Sequence, residues 1–107
     1  MAKQRNYRTL DQADEEYYRA HPDEIDSYLT TAFEEYAIDG DTLAMLSSLR
    51  MIARVKGVSV VAYESGLTHN SVQKALSEQA QLGFETINVI LHAMGYGIAL
   101  QKLDTHA

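Results

Sequence analysis

Val61-Ala62-Tyr63-Glu64-Ser65-Gly66-Leu67-Thr68-His69-Asn70-Ser71-Val72-Gln73-Lys74-Ala75-Leu76 reads as two short helices folded about a glycine. Ala62 offers a small side chain where the helices must cross closely. Gly66, four positions on, tolerates the positive φ that the bend demands. Leu67 fills the bend, and Thr68 stands where a helix cap belongs. Val72 and Leu76, at i and i+4, turn toward a core. With Ser59 capping the first helix, the unit runs from about Ser59 to Ser77 as a helix-turn-helix. The side chains left facing outward on the second helix are His69, Asn70, Ser71, Gln73 and Lys74, short polar groups with no carboxylate among them. That face suits a helix lying in the negatively charged major groove of DNA. A plain helical hairpin with a polar outer face is the other reading of the same spacing.

Upstream, Asp41 is placed to cap a helix that runs to Lys56, with Leu43, Met45, Leu46, Leu49, Ile52 and Ala53 inward and Gly57 as its exit. Before it, Ile25, Tyr28, Leu29, Ala32, Phe33 and Tyr36 recur every three or four residues from Pro22 to Ile38, one continuous apolar face. Asp23, Glu24 and Asp26 fall in its first turn, where carboxylates favour the positive end of the helix dipole, and Asp39-Gly40 stops it. Thr9 and Gln12 have capping-box spacing for a short helix to about Ala20, with Leu10, Ala13, Tyr17 and Tyr18 as its stripe. Downstream, a polar loop over Glu78–Gly83 leads to a helix from Phe84 to Met94, with Phe84, Ile87, Ile90, Leu91 and Met94 apolar. Gly95 ends it, and Tyr96, Ile98 and Leu100 at period two predict a strand. The fold expected is all-α, a bundle of five or six helices with a short C-terminal β-strand. It divides into an acidic extension and helix at 1–40, a helix-turn-helix core at 41–95, and the strand and tail at 96–107.

At 107 residues the chain has room for one core. A composition 46% hydrophobic and 22% charged is that of a folded rather than a disordered protein. No apolar run approaches the ~18 residues of a membrane span, the opening MAKQRNYR has no apolar segment of a secretory signal behind it, and there is no cysteine. The expected setting is the cytoplasm. His21, His69, His92 and His106 lack metal-ligand spacing, so neither metal nor other cofactor is expected. No nucleophile elbow, phosphate-cradling glycine loop or carboxylate dyad points to an enzyme.

The net charge of −6 is unfavourable for a nucleic-acid binder, but it is unevenly spread. Residues 1–41 carry four basic and eleven acidic side chains, whereas residues 42–82 carry four basic ones (Arg50, Arg54, Lys56, Lys74) against two acidic. The acidic front is either a solvated face or a surface with a role. Five of the seven tyrosines (Tyr7, Tyr17, Tyr18, Tyr28, Tyr36) lie in it. Acidic groups interleaved with aromatics are the parts of a docking site for a basic partner.

Several stretches extend beyond a generic motif: His21-Pro-Asp-Glu-Ile-Asp-Ser-Tyr-Leu-Thr-Thr-Ala-Phe-Glu-Glu, Leu49-Arg-Met-Ile-Ala-Arg-Val-Lys-Gly, the tract quoted above, Phe84-Glu-Thr-Ile, and Ala93-Met-Gly. From about Asp14 to Leu103 the chain resembles the Xre-type helix-turn-helix addiction-module antidote proteins. These are the antitoxin halves of toxin–antitoxin operons, akin to the host-inhibition-of-growth antitoxins. The resemblance implies a lambda-repressor-like bundle, repression of the chain's own operon through a double-stranded DNA operator, and a basic, ribonuclease-type toxin as partner. It also places His69, Asn70 and Lys74 where that fold presents base-contacting side chains and the loop around Ser77–Gln81 where it grips phosphate. The candidate DNA-binding set is therefore Thr68, His69, Asn70, Ser71, Gln73, Lys74 and Ser77.

Two departures stand out. Val58 occupies a position where many relatives carry a glutamine that touches DNA, and Val60 one where the family often has a polar residue. Four core cations are also few for a single chain, which a homodimer reading two half-sites would offset. The C-terminal strand either pairs with its own copy or packs back on its own core. The alternatives to the antitoxin reading are a stand-alone Xre-type regulator and an interaction module without DNA affinity.

Overall fold

The computed structural model describes residues 10–77, 82–100 and 102–103. Six helices order the described residues: α1 (Leu10–Ala20), α2 (Ile25–Asp39), α3 (Thr42–Lys56), α4 (Val58–Ser65), α5 (His69–Ala75) and α6 (Phe84–Ala93). A 3-10 turn over Pro22–Glu24 leads into α2. Proline at the first position of that turn costs no hydrogen bond and pre-sets its φ. Gly40 takes the left-handed conformation at φ 66° and donates its N–H to the Tyr36 carbonyl, ending α2. Asp41 then caps α3, its carboxylate accepting from the Ala44 N–H at 3.1 Å.

α3 is the hub. α1, α2 and α4 all pack against it, and α4 in turn carries α5 and α6. A helix covered from several directions needs a wide apolar stripe. Accordingly Met45, Leu46, Leu49, Arg50, Met51, Ile52 and Ala53 are all buried. The second half of the core is built from Val61 and Ala62 of α4, Val72 of α5, and Ile87, Ile90 and Leu91 of α6. α1 is fastened to the hub by charge as well as by packing. Glu15 accepts from Arg54 Nε at 2.5 Å and from Arg19 at 3.2 Å.

Beyond α6 the chain turns back. Tyr96 donates its hydroxyl to Asp26 at 2.6 Å, and the Lys56 ammonium lies 5.8 Å from the centre of its ring. Burial first, then the hydrogen bond to Asp26 and that carboxylate's charge, push the Tyr96 phenol up to about 12. The fold thus favours the neutral phenol. Its contribution is complete below the ordinary tyrosine value of 10.0 and is lost as the pH rises through about 12. Tyr96→Phe is expected to remove this component: between pH 10 and 12 the urea midpoint of the native chain falls faster than that of the variant.

Several expectations are corrected. The C-terminal strand is absent among the described residues, where residues 96–100 and 102–103 form no ladder. Alternation alone makes no strand without a partner to pair with, and Leu100 is fully exposed with Leu103 at 51%. Leu43, expected inward, and Phe84, expected in the apolar stripe of its helix, are both 71% exposed. Each sits in the first turn of its helix, where the apolar stripe runs past the edge of the core. Tyr36, near the end of α2, is exposed for the same reason. Ser59 does not cap α4. Gly57, at φ 105°, ends α3 by donating to the Ala53 carbonyl and opens α4 by accepting from the Val61 N–H, so the helix begins at Val58. The expected cap Thr9 and the loop at 78–81 lie outside the described residues. No helix among those described is long and apolar enough to cross a membrane.

Candidate nucleic-acid interface

The turn between α4 and α5 is held by local hydrogen bonds and by Leu67, which packs against the core. Gly66, at φ 79°, donates its N–H to the Ala62 carbonyl, and no Cβ is present to oppose that left-handed backbone. Ser65 donates its hydroxyl to the same carbonyl at 3.2 Å and accepts from the Leu67 N–H at 3.1 Å. Thr68, extended at φ −76° and ψ 158°, caps α5 by accepting from the Ser71 N–H at 2.9 Å. It also donates to the Ser71 hydroxyl at 2.8 Å, which ties that side chain to the cap. Below, Val72 is fully buried and Leu76 nearly so. A helix of seven residues is only about 10 Å long, so these two anchors and the cap fix its orientation.

All seven candidates are brought together on the outside. Thr68, His69, Asn70, Ser71, Gln73, Lys74 and Ser77 are each exposed, along α5 and at its two ends. No acidic side chain lies on α5. An open groove of about 550 Å³ separates α5 from the start of α6, with Ser71, Lys74 and Ser77 among its lining on one side and Glu85 and Thr86 on the other.

The cations are distributed differently from what the count suggests. Arg50 is 8% exposed and belongs to the buried part of α3. Arg54 is engaged with Glu15, and Lys56 leans over the Tyr96 ring. Of the four basic residues of the middle segment, Lys74 alone lies on α5. The signal for Arg50 was available, since Leu46, Leu49, Arg50 and Ala53 share the i, i+3, i+4, i+7 spacing of one face. Val58 is half-buried and packs against the core, so it offers the surface no hydrogen-bonding group. On α4, Val60 at 53% and Tyr63 at 85% stand exposed one turn apart. Tyr63 has no place in the motif's pattern, because the internal anchors say nothing about the outer face of α4. No group of three or more His, Asp or Glu side chains gathers as a metal ion would require among the described residues.

Residues 8–102 match a family model described as "probable addiction module antidote protein". No curated protein and no solved structure gives a significant match.

Proposed function

Because the chain belongs to the family of probable addiction module antidote proteins, which gives it an antitoxin role and a toxin as partner, we propose that it is a DNA-binding antitoxin of the Xre helix-turn-helix type. In this reading α4 and α5 form the helix-turn-helix of a lambda-repressor-like core, and α5 enters the major groove of an operator at the chain's own operon. Asn70, His69 and Lys74 read base edges, Gln73 extends that reading, and Thr68, Ser71 and Ser77 set the helix against the phosphates. The protein works in the cytoplasm as a homodimer on a palindromic site, and its toxin is a basic ribonuclease. The observation that carries this is the outer face of α5 with its two ends: seven exposed polar residues, five of them on the helix and carboxylate-free along it, presented by a capped and anchored short helix.

The test is a mobility-shift titration of the purified full chain on the DNA upstream of its own gene, repeated over a range of salt. With so few cations on the face, a dimer that neutralises about two to four phosphates gives a slope of log affinity on log salt of about −2 to −4. Sequence-specific binding with such a shallow slope supports the reading. Equal affinity for unrelated DNA, or no shift at micromolar protein, overturns it. The withdrawal of Arg50 and Arg54 toward the protein's own helices favours one competing reading, an antitoxin that neutralises its toxin and leaves DNA alone.

A further inference from the structure

The end of α1 and the start of α2 enclose an open groove of about 370 Å³. Tyr18, Asp23, Glu24, Ser27, Tyr28 and Thr31 line it. Two aromatic rings form part of its wall, the Tyr18 and Tyr28 centroids lying 4.9 Å apart with their planes tilted by 49°. Both rings are held in place. Tyr28 donates its hydroxyl to Ser48 at 3.1 Å. Tyr18 is braced edge-on by Tyr17 at 5.0 Å, and Tyr17 itself stacks on His21 at 4.2 Å.

Two carboxylates complete the wall. Glu24 is oriented by the Tyr17 hydroxyl at 2.7 Å, and Asp23 is exposed beside it on the 3-10 turn. The nearby cation Arg19 points elsewhere, donating to Glu15 and to the Arg54 carbonyl. The His21 ring nitrogen Nδ1 lies 2.8 Å from the Tyr17 carbonyl. The field in the groove is therefore negative, and it registers on the rings. The Tyr18 phenol is raised by its burial and then by Tyr28, Asp14 and Glu24, and the Tyr17 phenol by its bond to Glu24 ahead of every other cause.

We propose that this groove is the toxin-docking site, and that it takes an arginine side chain of the basic toxin between the Tyr18 and Tyr28 rings and the Asp23 and Glu24 carboxylates. The inference rests on the antitoxin reading and adds to it where and how the toxin is held. A guanidinium fits better than an ammonium. It is flat enough to lie along a tyrosine face and carries enough N–H donors to serve both carboxylates at once. Residues 1–41, the segment that carries the groove, hold eleven acidic against four basic side chains, an excess of negative charge that steers a basic partner.

The test uses the full chain with both Asp23→Asn and Glu24→Gln, titrated calorimetrically with the toxin polypeptide encoded in the same operon. These isosteres keep an acceptor for the Tyr17 hydroxyl, and circular dichroism confirms that the fold is retained. The expected result is a loss of toxin affinity of about thirtyfold or more, typical of removing one side of a desolvated charge pair, with operator binding unchanged. A second arm titrates the native chain with argininamide and lysinamide by NMR. Argininamide is expected to move the amides of Ser27 and Thr31 at lower concentration than lysinamide does. Undiminished toxin affinity in the double variant overturns the groove and leaves the antitoxin reading standing. A native chain that binds no toxin overturns both. A variant that loses self-association while keeping the toxin overturns the proposal by assigning the groove to a second copy.

Discussion

Asn70→Ala combined with Lys74→Ala is expected to lower operator affinity by about a thousandfold while leaving the melting temperature within a few degrees of the native chain. An asparagine paired with an adenine edge is worth about 1–3 kcal/mol of discrimination. A dimer presents the pair twice, so a loss of about 4 kcal/mol over the assembly corresponds to roughly three decades in affinity. Both side chains are exposed on α5 and their removal leaves the buried Val72 and Leu76 anchors intact. Exposed substitutions of that kind stay within about 0.5 kcal/mol in stability. Fluorescence anisotropy on the labelled operator, together with a thermal melt of each variant, checks both halves. Loss of binding accompanied by a collapsed melt would show that α5 was unfolded rather than disarmed. Unchanged binding would show that the recognition helix lies elsewhere.

Ile52→Ala carries the other large effect, this time on stability. Ile52 is 0% exposed in the middle of α3, the helix against which α1, α2 and α4 all pack. Truncating a fully buried isoleucine costs about 2–5 kcal/mol, partly transfer and partly the cavity left behind. A domain of this size has about 5–15 kcal/mol in total, so about a fifth to a half of a mid-range stability of about 10 kcal/mol disappears. At about 4–8 °C for each kcal/mol in a small domain, the melting temperature falls by about 15 °C or more. Since both halves of the core rest on the same helix, they are expected to melt together in one transition. A fall of only a few degrees, or two separated transitions, would show that α3 is not the common support.

Most of the helices were legible because their boundaries are written in local chemistry. Gly66 and Thr68 need no tertiary context to announce a turn and a cap, and both do what their residue types allow. The same holds for Asp41 and Gly40. What stayed hidden depends on neighbours that periodicity does not see. Leu43 and Phe84 fit the apolar stripe of their helices, yet the stripe outruns the core at helix ends. The alternation of Tyr96, Ile98 and Leu100 is real, but a strand exists only through a partner's backbone. The tail instead uses Tyr96 as a latch onto Asp26, a contact spanning 70 positions. Charge was the deepest illusion. Arg50 and Arg54 add to the basicity of the middle segment on paper, while in space one is buried within α3 and the other bonds Glu15 of α1. The candidate face on α5 was legible as a set of exposed residues, and so was the small number of cations; the engagement of Arg50 and Arg54 by the protein itself was not.

The most direct measurement of the central claim is an NMR titration of the full chain with a duplex carrying its own operator. The amides of Thr68 to Lys74 should shift first and furthest, with a smaller response at the exposed end of α4. Stationary resonances across α5, with changes confined to α1, α2 or the tail, would contradict the assignment of α5 as the element that meets DNA.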